Sequence, residues 1–130
     1  MKRSLILITA VIFFVCSSSL SGLAEVPCDQ SYSKSKLREY NSSAHNYLNQ
    51  IAMANMARSV DGDGYTTDLE KLHAYGFSVN KDLLITEFRL YESDEGSQEF
   101  YVEARHRACG VVSYAYDSGN GKGVTLAGDR

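Results

Sequence analysis

Four oxygen-bearing residues, Ser59, Asp61, Asp63 and Glu70, stand at the spacing of a calcium-binding loop. An EF-hand loop draws side-chain ligands from positions 1, 3, 5 and 12 and turns sharply at a glycine in position 6. With Ser59 at position 1, Gly64 falls at position 6 and Glu70 at position 12. Four features oppose the metal reading. Ser59 carries no charge. Thr66 occupies position 8, where an apolar residue clamps paired loops. The chain holds no second loop, and a helix leaving this one would stop early, at Gly76. The same stretch also reads as a chain reversal without metal. Gly62 and Gly64 supply the backbone angles for leaving a helix. Thr67 and Glu70 form a capping box for a short helix in "DLEKLHAY". Tyr65, Leu69, Leu72 and Phe77 become core anchors. The reversal is preferred, and a calcium-binding module stands third among the functions considered.

Other chemistry is sparse. His45, His73 and His106 have no nucleophile or acid partner at motif spacing, so no enzyme is expected. "GNGKG" lacks the Walker spacing and the Ser or Thr after its lysine, and reads as a turn. The cysteines are Cys16, Cys28 and Cys109. No Cys-x-x-Cys-His occurs, which argues against covalent haem, and no other cofactor is implied.

The first 24 residues resemble a removable export signal. Lys2 and Arg3 precede the apolar run "SLILITAVIFFVC", and Gly22 and Ala24 fit a small-x-small cleavage site. The run is short of the ~20 residues that span a bilayer. The expected organisation is a signal peptide over 1–24 and one domain over 25–130, exported to the periplasm, the outer surface or an extracellular filament. Cleavage removes Cys16, and in an oxidising compartment Cys28 and Cys109 are then expected to pair. That bridge would close a loop of about 80 residues, worth roughly 4 kcal/mol on chain-entropy grounds. Loss of Lys2 and Arg3 from the 13 basic residues leaves 11 against 16 acidic ones, a net charge of −5. That balance speaks against nucleic acid and anionic lipid surfaces as partners.

The periodicity changes once along the chain. From Ser33 to about Val60 the apolar residues Leu37, Tyr40, Ala44, Tyr47, Leu48 and Ile51 recur at three- and four-residue steps, the signature of one helix. "IAMANMA" is apolar around much of its circumference, so this half is expected to be covered more deeply. After the reversal the period is two. "LLITEFRLYE" alternates Leu84, Thr86, Phe88 and Leu90 against Glu87, Arg89 and Tyr91. "EFYVEARHR" alternates Phe100, Val102, Ala104 and His106 against Tyr101, Glu103 and Arg105. "VVSYAYD" alternates Val112, Tyr114 and Tyr116 against Ser113 and Ala115, and "VTLAG" suits a last edge strand. The expected fold is α+β: a long N-terminal helix packed on a three- to four-stranded antiparallel meander.

"YNSSAHNYLNQIAMANMARSVDGDGYTTDLEKLHAYGF" resembles the lower helix and following loop of type IV pilins, and "EFYVEARHRACGVVSYAYDS" resembles a pilin head sheet. The likeness runs from about Tyr40 to Gly123 and rests on the order of short motifs. A pilin opens with a prepilin peptidase site and an apolar Phe-Thr-Leu-Ile-Glu helix; here a removable signal peptide stands in their place. The resemblance therefore implies a pilin head without its filament-forming helix, similar to the separate globular subunit of split pilins, geopilin domain 2. It implies a structural, non-enzymatic subunit that joins a short, membrane-inserted helical pilin to form or decorate a type IV pilus-like fimbrium. Self-assembly within the filament would follow. The alternative is a periplasmic chaperone or stabiliser of that short pilin. Leu37 and Tyr40 at the helix start, and Met53 and Met56 farther along, are the expected partner contacts.

Overall fold

The computed structural model describes residues 32–110 and 112–128. Helix α1 spans Lys34–Val60, α2 Leu69–His73, and four strands follow: β1 Leu83–Glu92, β2 Gln98–His106, β3 Tyr114–Asp117 and β4 Val124–Leu126. The fold is α+β, with α1 laid on a four-stranded antiparallel sheet of order β1-β2-β3-β4. The expected signal peptide over 1–24 and Cys28 lie outside the described residues.

Ser33 caps α1, its hydroxyl accepting from the Lys36 N–H. No glycine or proline interrupts the helix, and Gly62, at φ 89°, lies just past its end in a conformation that L side chains rarely adopt. The buried face consists of Ala44, Tyr47, Leu48, Ile51, Ala52, Ala54 and Asn55. Coverage thus starts ten residues into the helix and is densest in its C-terminal half. Across the interface lie Phe100, Val102 and Ala104 of β2, with Tyr114 and Tyr116 of β3 at the margin; Leu72 and Phe77 close the core from the reversal. Burial of each large apolar side chain here contributes about 1.5–3 kcal/mol.

β1 departs from strict alternation. Ile85 pairs with Ala104, but Glu87 pairs with Glu103, so Thr86 is an extra residue without a cross-strand partner. Such a bulge shifts the phase of the side chains on either side of it. Leu83 and Ile85 therefore face the core before the shift, and Phe88 after it. The expectation that Leu84 shares the inward face with Phe88 is corrected by that single insertion. Three smaller differences accompany it. α2 is shorter than "DLEKLHAY", and its cap is Asp68 rather than Thr67: the Asp68 carboxylate accepts from the Glu70 N–H at 3.0 Å. β3 begins at Tyr114, leaving Val112 ahead of it.

Tyr101 and Ala115, on the sheet face opposite α1, are nearly as buried as the core proper. Arg89 covers Tyr101, its guanidinium carbon 4.9 Å from the ring centroid, while the Tyr101 hydroxyl donates to Glu103 at 3.0 Å. Arg89 also pairs with Glu87 at 2.7 Å. This relieves the opposition of Glu87 and Glu103 across the strands, where like charges repel.

Candidate interaction surface

A helix turns about 100° per residue, which decides the direction each face of α1 takes. The stripe through Met53, Met56 and Val60 points away from the side defined by Leu48, Ile51 and Asn55. Met53 is 70% exposed, Met56 41% and Val60 86%. Three large apolar side chains at spacings of three and four residues thus form one open ridge.

Leu37 and Tyr40 do not join that ridge. Both are half-buried and lie on the core-facing side of the helix. Tyr40 stacks on His106 at 4.0 Å between ring centroids and meets Tyr32 edge-on at 5.2 Å. It fastens the start of the helix to the end of β2, which separates it from Met53 and Met56 in function as well as direction. The four expected partner contacts therefore fall into two places. Val60 belongs with the methionines, and its position seven residues after Met53 was the sequence signal for it.

The loop after α1 is occupied by the chain's own cation. The Arg58 guanidinium donates to the carbonyls of Asp63 at 2.6 Å and Gly64 at 2.5 Å. The Asp63 carboxylate accepts from the Tyr75 hydroxyl at 3.1 Å. Ser59 is part of the last helical turn and its carbonyl receives the Gly62 N–H at 3.0 Å. Asp61 caps the helix, and Glu70 is exposed in the first turn of α2. Among the described residues no group of three or more His, Cys, Asp or Glu side chains is placed to hold a metal ion. The arrangement is that of a reversal clamped by Arg58.

The histidines are equally engaged. His73 shares a hydrogen bond with the Phe77 carbonyl at 2.9 Å, His106 Nδ1 accepts from the Ala108 N–H at 3.1 Å, and His45 meets Tyr114 edge-on. On the outer sheet face the Tyr91 hydroxyl donates to Asp117, and Ser118 donates to Glu99. Burial, then the hydrogen bond and charge of Asp117, then Glu99, push the Tyr91 hydroxyl up to about 12. Gly119 leaves room beside it, since a Cβ there would clash with the Tyr91 oxygen and force the hydroxyl to move. Cys109 is 1% exposed and disulfide-bonded. No helix among the described residues is long and apolar enough to cross a membrane. No protein-family model, curated protein or solved structure matches this chain.

Proposed function

We propose that the chain is an exported, non-enzymatic pilin-like subunit that binds a short helical pilin and builds or decorates a pilus-like filament. One observation carries the reading: α1 buries one face on an antiparallel meander and leaves the Met53–Met56–Val60 ridge open on the opposite face. An apolar ridge at helical spacing suits a second helix, because i, i+3 and i+7 side chains can pack into its groove. Methionine adds adaptability, and the neighbouring small Ala57 permits close approach. The order of helix, reversal and sheet resembles that of a type IV pilin head and supports the reading. In this reading the partner supplies the membrane-inserted helix, and the bridge of Cys109 is to Cys28.

Pull-down of the exported protein from detergent-solubilised envelopes tests the reading. Recovery of a short, apolar helical subunit is expected, and Met53→Glu with Met56→Glu should abolish it while leaving the melting temperature within a few degrees. Recovery of the chain alone, correctly folded, from every fraction would overturn it. Sheared fibres then separate a filament subunit, present at stoichiometric mass, from a periplasmic stabiliser, which stays behind.

A further inference from the structure

The geometry points to the free edge of β1 as a self-association surface, on which a second copy of this chain adds its own β1 antiparallel across a two-fold axis centred on Leu90. β1 is the terminal strand of the sheet and ten residues long, whereas β4 at the other edge has only three. Its outward N–H and C=O groups have no strand partner among the described residues. Exposed edges of this length are ordinarily blunted by proline, lysine or very short strands. "LLITEFRLYE" contains neither residue type; its edge devices are the bulge at Thr86 and the charges of Glu87, Arg89 and Glu92, of which Glu87 and Arg89 are already paired with each other. Beyond the bulge, Glu87 to Glu92 runs without interruption.

Leu90 identifies the place and the partner. It pairs with the fully buried Phe100 and so faces the helix side of the sheet, yet it is 37% exposed. α1 lies over β2 and β3, and among the described residues no strand flanks Leu90 on the free side. An added strand would supply that missing neighbour.

The choice of a second copy, and of register, follows from the side chains. Residues directly opposite in an antiparallel pair share a face, so the axis must pass through a residue. An axis at Arg89 would oppose arginine to arginine. An axis at Phe88 would carry the partner strand across the bulge, where alternation fails. An axis at Leu90 opposes Leu90 to Leu90 and Arg89 to Tyr91, and uses Phe88 to Glu92 without opposing like charges. Within one chain the Arg89 guanidinium already lies 5.3 Å from the Tyr91 ring centroid, so a cation-to-ring contact of the same chemistry can be made between copies. This surface lies on a different element from the Met53–Met56–Val60 ridge and does not rest on the pilin reading.

Sedimentation velocity of the exported protein over a wide concentration range, with two variants, tests the proposal. A reversible dimer is expected, and Leu90→Lys should weaken it at least about tenfold by facing like charges across the axis. Near-ultraviolet circular dichroism reports whether that variant keeps its fold. In Leu90→Cys, mild oxidation should join two chains through position 90 on each, mapped by mass spectrometry of the digest. This second variant decides the matter if the lysine variant unfolds. A chain that stays monomeric up to roughly 1 mM, the range of weak specific pairing, overturns the proposal. So does a dimer that a folded Leu90→Lys leaves unchanged, or one whose Leu90→Cys form does not join at that position.

Discussion

Asn55 and Thr66 form a two-bond pair in the interior: Asn55 Nδ2 donates to the Thr66 carbonyl at 3.0 Å, and Asn55 Oδ1 accepts from the Thr66 N–H at 2.9 Å. The asparagine is fully buried on α1 and the threonine nearly so in the chain reversal. The side-chain amide acts as a peptide group would in a sheet ladder. It satisfies both backbone groups of Thr66, the one buried residue between α1 and α2, where the reversal has no regular structure.

Replacing Asn55 should therefore cost more than an ordinary hydrogen bond. Asn55→Ala leaves a buried N–H and a buried C=O unpaired and is expected to destabilise the fold by about 3 kcal/mol, a fall in melting temperature of about 10–20 °C. Asn55→Asp keeps one acceptor but sets a carboxylate against the Thr66 carbonyl, and should do no better. Thermal unfolding of both variants checks this; losses under about 1 kcal/mol would contradict it.

Tyr91 makes stability depend on alkaline pH. Its hydroxyl is raised from the ordinary value of 10.0 to about 12, so the fold favours the protonated form. The contribution is fully present below pH 10 and is lost as pH rises through about 12. Ultraviolet titration should show part of the tyrosinate signal appearing only near the upper limit. Asp117→Asn and Gly119→Ala should each move that part downward, the first by removing a charge and the second by displacing the hydroxyl. A titration that Asp117→Asn leaves unchanged would refute the assignment.

Arg58 should stabilise the reversal where calcium does not. Its two hydrogen bonds to carbonyls are charge-assisted, and Arg58→Ala is expected to cost about 2 kcal/mol. Melting in millimolar calcium should match melting in chelator. A large upward shift in calcium, lost in Asp61→Ala with Asp63→Ala, would restore the metal loop.

The bridge of Cys109 has an expected partner in Cys28. Mass spectrometry of a non-reduced digest should recover the two as one linked pair. Cys28→Ser together with Cys109→Ser should lower stability by about 4 kcal/mol if the closed loop is about 80 residues. Two thiols that alkylate before reduction would exclude the bridge.

The elements were legible because their periods differ: α1 repeats at three and four residues, and β2 strictly at two. Ser33 and Gly62 mark the helix ends in ordinary capping chemistry. What escaped was of three physical kinds. The bulge at Thr86 adds one residue with no glycine or proline to mark it, and so inverts Leu84. Tyr101 is buried on the expected outer phase, where Arg89 covers it from the neighbouring strand, a cross-strand effect that alternation along one strand cannot express. Asp68 and Thr67 are both good caps, and only the fold chooses between them. Asn55 did carry a signal, as a lone amide on the core phase of "IAMANMA". The split of the expected contacts could also have been found, since Tyr40 and Met53 differ in phase along the helix.

The strand order β1-β2-β3-β4 has a consequence for the birth of the chain. Each strand pairs with the one made just before it, so the sheet can grow by successive hairpins at small loop-closure cost. α1 has only the short reversal as an immediate partner, through Thr66, Leu72 and Phe77. Ile51 and Leu48 are made early, but the Phe100 and Val102 that cover them arrive only with β2. Throughout that interval a nascent chain carries the apolar face of α1 only partly covered, a surface open to capture by a neighbour. Folding quality should thus hinge on how quickly the first hairpin, from Leu83 to His106, follows the helix into solution.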